Sequence, residues 1–347
     1  MRMFDDAYAP FYKKYVYSMF GERQFAQLDS SIKKMEGNFL PTNNTFLDQY
    51  IHYKIGNLRH FAHQQKALQV SNEMFAHKPV LYNHVAYQNL FNQVYDKYFV
   101  FFGRTESGKK IYQYINDQKS YDSLYIALLS NEVFKENHQL AELVILKNLH
   151  DEFYNDKFSR GALLTVLDSL EKLTAFTQHK QIAREIKQKI TRLMQGYAPP
   201  AFNLYDKDSN LVSLNSLHGK YLYLNFCNCA SYACIQEFAS IKNFLNKYNG
   251  YVNVVTIVAD ADISSMTRFL EKYSYPWLFL HYANNPDIFS QYDIRAFPTY
   301  YLISPNGKLA MSPAPSPTEN MATHLFQLLQ QQKGKHGEPT GSDNLFK

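Results

Sequence analysis

Residues 220–238 read KYLYLNFCNCASYACIQEF, and this stretch holds all three cysteines of the 347-residue chain. Tyr221 to Phe226 alternates bulky aliphatic and aromatic residues, the pattern of a buried strand. From Cys234 to Tyr248 the apolar residues recur at helical spacing instead. The cysteines therefore sit at a strand-to-helix turn, where helix N-terminal amides and the helix dipole favour a thiolate.

The flanking segments extend this pattern. Upstream, APPAFNLYDKDSNLVSLNSLHG (198–219) has an apolar entry, a polar turn, a short strand and a Gly lead-in to Lys220. Downstream, YDIRAFPTYYLISPNGKL (292–309) places Pro298 at a strand start and a hairpin turn at Ser304 to Gly307. With these three motifs in order, residues from about Gly196 to Gly334 resemble the thioredoxin-like fold in its TlpA/ResA branch, the bacterial extracytoplasmic thiol-disulfide oxidoreductases. The resemblance implies an α/β domain with a central mixed sheet flanked by helices. It also implies a cis-proline at Pro298, facing the cysteine turn, where an extended substrate adds strand-like hydrogen bonds. Tyr232, Phe297 and Pro298 would line that groove.

The turn departs from the family motif, Trp-x-x-Trp-Cys-x-x-Cys-x-x-Glu. With Cys234 and Glu237 on its last Cys and Glu, Ser231 stands where the attacking cysteine belongs, and Cys227 and Ala230 replace the tryptophans. A hydroxyl forms neither a thiolate nor a mixed disulfide, so ordinary dithiol exchange loses its attacking group. Ser231 has a structural role to hand, because serine is among the best caps for a helix N-terminus. Asn225 stands where thioredoxins carry a buried proton-moving Asp, and Glu237 is the candidate substitute.

Cys234 takes the family's resolving position, and its plain reading is a small apolar residue under the helix. Cys229 and Cys234 have a spacing also seen in peroxiredoxins. Five positions along a regular helix put two side chains on different faces, so bridging them requires unwinding to bring the Cα atoms within about 7 Å. Cys227–Cys229 and Cys227–Cys234 are the other pairings, and any one of them leaves a thiol unpaired.

The net charge of +5 is modest for this length, and the basic residues are scattered without a nucleic-acid motif. No apolar run approaches the eighteen residues of a membrane span, and the opening MRMFDDAYAPFYKKY lacks the apolar core of a signal peptide. The 28 Tyr and 26 Phe fall mostly at core-like helical spacings. From Ala7 to Met194 the pattern is helical nearly throughout: Leu47, Ile51, Ile55, Leu58 and Ala62 make one stripe, interrupted by Gly56. Tyr87–Phe101, Ile111–Ile115, Leu124–Leu129, Leu140–Tyr154, Ser159–Phe176 and Gln181–Met194 follow, the last with Gly196 as its expected cap. His60 and His63 share a helix face without a third ligand and read as a surface pair. RTESGKK (104–110) lacks the phosphate-loop spacing and reads as a turn.

The sequence predicts an all-helical domain of seven to nine helices over 1–196, a thioredoxin-like domain over 197–334 and a flexible tail over 335–347. The expected function is thiol-disulfide exchange of an atypical kind through Cys234, helped by Cys229 or Cys227 and by Glu237. A redox-inactive module that binds an extended peptide in the Pro298 groove is the alternative, and peroxiredoxin-like use of Cys229 and Cys234 a third. No metal or cofactor is expected. The resemblance implies a protein client bearing a thiol or disulfide, and a periplasmic or cell-envelope setting.

Overall fold

A computed structural model describes residues 1–16, 25–62, 65–260, 262–282 and 285–335. The chain divides into two compact units, Met1–Lys189 and Ile190–Lys347. Among the described residues, ten α-helices cover the chain to Thr191: α1 (Arg2–Val16), α2 (Phe25–Phe39), α3 (Thr45–Phe61), α4 (Ala67–Met74), α5 (Val85–Val94), α6 (Tyr98–Phe102), α7 (Tyr121–Leu129), α8 (His138–Glu152), α9 (Arg160–Leu173) and α10 (Thr177–Thr191).

That exceeds the seven to nine expected. The Tyr87–Phe101 pattern is cut into α5 and α6 where Lys97 takes a left-handed φ of 49°. Part of the Ile111–Ile115 stripe lies on a single π-type turn, Gln113–Asp117. Caps account for several starts, with Asn44, Ser120, Asn137 and Ser159 each accepting the backbone N–H three residues on. Gly56, inside α3, packs closely: a Cβ there would lie 2.9 Å from Leu90 Cδ2 and 3.0 Å from Met74 Cε, side-chain ends that would have to shift. His63 lies outside the described residues. No helix among the described residues is long and apolar enough to cross a membrane.

The second unit is built on a seven-stranded sheet: β1 (Asn203–Asp206), β2 (Leu211–Ser213), β3 (Tyr221–Cys227), β4 (Val252–Val258), β5 (Leu278–His281), β6 (Thr299–Ile303) and β7 (Leu309–Ala314), in the spatial order β2-β1-β5-β4-β3-β6-β7. β3 runs parallel to β4 and antiparallel to β6, so the sheet is mixed. Helices α11 (Tyr232–Tyr248), α12 (Ile263–Lys272), α13 (Ile288–Gln291) and α14 (Met321–Lys335) flank it.

Alternation along β3 divides the core. Tyr221, Tyr223 and Cys227 pack with Phe238, Ile241, Phe269, Met321 and Leu325 on one face. Leu222, Leu224 and Phe226 pack with Ile288 and Tyr292 on the other. Gly196 caps no helix, because α10 already ends at Thr191; its N–H donates to Leu309 O at 2.8 Å at the sheet edge. After β7 the chain makes a 3₁₀ turn, Pro317–Glu319, and then α14, separated by left-handed Asn320 at φ 67°, a conformation Asn tolerates. α14 runs to Lys335, so Gly334 is helical, and the rest of the expected tail lies outside the described residues.

Phe238, fully buried on α11, has its ring centroid 5.1 Å from Tyr275, 5.7 Å from Phe279 and 5.9 Å from both Phe269 and Trp277. Replacing Phe238 with Ala should destabilise the unit by about 3–5 kcal/mol in urea denaturation, the usual cost of deleting a core aromatic. A wild-type midpoint would contradict this packing.

Candidate functional site

The site begins where β3 runs out. Ala259 N–H donates to Cys227 O at 2.7 Å, tying the strand end to β4. Asn228 Oδ1 accepts Ala230 N–H at 2.8 Å and its carbonyl accepts Ser231 N–H at 3.1 Å, which bends the chain into α11. Ser231, in extended backbone, accepts the Cys234 N–H at 3.5 Å as the N-cap. Cys229 lies in this turn, before α11, so it and Cys234 do not occupy one regular helix as the spacing argument had it.

Cys227 is 1% exposed and Cys234 0%. The Cys227 thiol donates to Asn225 Oδ1 at 3.2 Å, and Cys234 lies in the same buried cluster. Asn225 Nδ2 and Trp277 Nε1 converge on Thr256 Oγ1 at 3.5 and 3.0 Å. The buried amide that replaces the family's Asp is thus held by a neutral network.

The three thiols differ sharply. Burial pushes Cys227 well up, and the adjacent Cys234 adds to this. Burial also pushes Cys229 up, and the Asp260 charge acts in the same direction. Cys234 moves down to about 7, first because the Cys227 thiol hydrogen-bonds to it, with Asn228 backbone and Ser231 assisting and burial opposing. The neighbouring Cys227 thiol is thus the largest influence on Cys234.

Asp260 was not visible as a site residue. Its Oδ2 accepts Cys229 N–H at 2.8 Å, and its own carbonyl accepts from His281 Nε2 at 2.8 Å. The available signal was position, because Asp260 follows a β-branched strand at its carboxyl end, where open α/β sheets place their sites. Glu237 Oε1 accepts from Thr318 Oγ1 at 2.8 Å.

Phe226 pairs with Thr299, which brings the Phe297–Pro298 peptide beside the β3 end that carries Cys227. That peptide is cis. Phe297 is 37% exposed and Tyr232, on the first turn of α11, 74% exposed. The fold thus gathers Cys227, Cys229, Ser231 and Cys234 at one turn.

Asp260→Asn keeps an acceptor for the Cys229 N–H and removes the charge that disfavours its thiolate. Alkylation of Cys229 at about pH 8 should then rise several-fold. An unchanged rate would assign its inertness to burial alone.

The Redoxin family model matches residues 194–324. Thiol-disulfide oxidoreductase ResA of Bacillus subtilis (strain 168) is 25% identical over 152 residues, 43% of this chain and 80% of that protein. Chloroplastic peroxiredoxin Q of Populus jackii is 24% identical over 143 residues, 41% of this chain and 61% of that protein. Among solved structures, a thiol:disulfide interchange protein DsbE from Chlorobium tepidum aligns at 23% identity and a TM-score of 0.35, covering 39% of this chain and 96% of that one. The C-terminal unit, a mixed sheet with flanking helices and the cysteine turn at the end of its central strand, has a thioredoxin-like architecture and matches the Redoxin family model over residues 194–324.

Proposed function

We propose that the second unit is a thiol-disulfide oxidoreductase of atypical kind, working through Cys234 with Cys227 as its partner. One observation carries this reading. Cys227 and Cys234 are buried together in one core cluster at the end of β3, and the neighbouring Cys227 thiol draws Cys234 down to about 7 while burial pushes Cys227 up. One thiolate beside one thiol is the asymmetric pair that exchange chemistry needs, since attack requires the thiolate form. The motif lost its cysteine at Ser231, and a strand-end cysteine stands in for it.

Similarity to ResA and to the extracytoplasmic TlpA/ResA branch supports a protein client bearing a thiol or disulfide, and a cell-envelope setting. Glu237, in this reading, exchanges protons near the pair. Cys229 stays outside the chemistry, because burial and Asp260 both hold it protonated.

A second reading rests on a different observation. Cys234 is fully buried while Tyr232 and Phe297 are exposed near Pro298, an arrangement that suits capture of an extended peptide without thiol chemistry.

Alkylation by iodoacetamide, followed against pH and located by fragment-ion mass spectrometry, separates the two. Only the thiolate reacts, so on the thiol reading Cys234 labelling should rise as pH increases through about 7, with Cys227 and Cys229 unlabelled at that pH. Three thiols inert until denaturation would leave the binding reading standing.

A further inference from the structure

Within the helical unit, α4, the end of α5, α6 and the loop before α8 frame a cavity of about 310 Å³, inside the range of roughly 300–1,000 Å³ that small-molecule sites occupy. Its walls are largely aromatic. Tyr95, Tyr98, Phe102 and Phe134 line it, and the Tyr98 ring centroid lies 5.5 Å from Phe102 and 5.7 Å from Phe134, so the rings hold one another in place. Leu68 and Phe101 also line it and are 63% and 57% exposed, which puts its mouth at the surface. Among the described residues, the charged side chains on the lining are Lys66 and Asp96, both exposed and opposite in sign.

One polar feature stands in this apolar setting. Ser71 and Tyr95 both line the cavity and are 4% and 1% exposed, and their hydroxyl oxygens lie 2.5 Å apart. Two hydroxyls carry two protons, and the bond between them uses one. Neither hydroxyl has a further acceptor among the described residues, so one buried O–H is left with nothing to donate to. Leaving a buried donor unmade is costly, and such groups are normally met by protein, by ordered water or by a ligand.

We propose that this cavity binds a neutral, flat aromatic molecule carrying one hydrogen-bond acceptor, an aryl ketone in its simplest form, whose oxygen takes the spare O–H of the Ser71–Tyr95 pair. Each part of that description follows from the lining. Ring walls favour a flat ring through offset and edge-to-face contacts. A charged ligand would shed its hydration and find no counter-charge inside, because Lys66 and Asp96 stay in water. The spare donor asks for an acceptor rather than a second donor. Filling the site also removes Leu68 and Phe101 from water, which adds apolar burial to the binding energy. The site is independent of the thiols, since its whole lining falls in the first unit.

The test titrates the full chain with the fluorescent aryl ketone prodan and displaces it with 2-isopropylnaphthalene, an aromatic of similar shape without an acceptor. The expected result is saturable binding of one prodan per chain, with its emission moved to shorter wavelength. The double variant Ser71→Ala/Tyr95→Phe removes both hydroxyls together, a replacement close to neutral for folding. It should weaken prodan about fivefold to tenfold, the worth of one hydrogen bond, and leave 2-isopropylnaphthalene within about twofold. Phe101→Asp changes an exposed position at the mouth, so it tests the site even where the double variant fails to fold. It should weaken both compounds at least about tenfold, through lost apolar contact and a charge beside the apolar ligand. No saturable binding to the wild-type chain would mean that the cavity holds water alone, and would overturn the proposal. Wild-type affinity in Phe101→Asp would put the probe elsewhere on the chain and overturn it too. An equal effect of the double variant on both compounds would overturn the role of the spare O–H, and with it the ligand class.

Discussion

Strand β3 is buried at all seven positions and hydrogen-bonded along both edges, to β4 in parallel and to β6 in antiparallel register. A strand held on four sides has no freedom to slip, because a one-residue shift would exchange its two packed faces. Everything chemical in the second unit hangs from its carboxyl end. Cys227 is its last residue, the capped turn follows at once, and the neighbours β4 and β6 deliver Asp260 and the Phe297–Pro298 peptide to the same place.

That fixed end sets the geometry of the turn that follows it. Ser231 caps the helix, a job that needs only an oxygen, and Cys234 keeps its place below it. Cys227, the last residue of β3, packs in the same core cluster as Cys234. Burial alone would raise both thiols. Their proximity splits the pair: Cys234 is drawn down by the neighbouring thiol while Cys227 is pushed up.

The helical unit resolves a buried charge in a related way. Glu142 is 4% exposed, yet its oxygens accept from Tyr121 at 2.9 Å and from Thr174, and His179 Nδ1 lies 2.8 Å away. His179 is in turn 2.7 Å from the Tyr82 hydroxyl. The carboxyl is held below its usual range by these partners, although burial opposes them. A charge so fully satisfied ties α7, α8 and α10 to the loop before α5, and removing one partner would strand the rest.

What the sequence by itself determined lies within short spans: the strand at Tyr221 to Phe226 and the turn after it, the cap at Ser231, the helical pattern from Cys234 and the proline before Thr299. Each is written in spacing or in turn chemistry, which are local. The helical unit was legible as helical but not in its number of helices, because a left-handed Lys97 leaves no mark in an apolar stripe. The pairing of Cys227 with Cys234, the approach of Asp260 to Cys229 and the place of Tyr300 beside Asn225 were decided only by the tertiary structure. They depend on which strands become neighbours and in what register. One tyrosine among 28 carries no sign in the sequence that sheet pairing will bury it opposite Asn225.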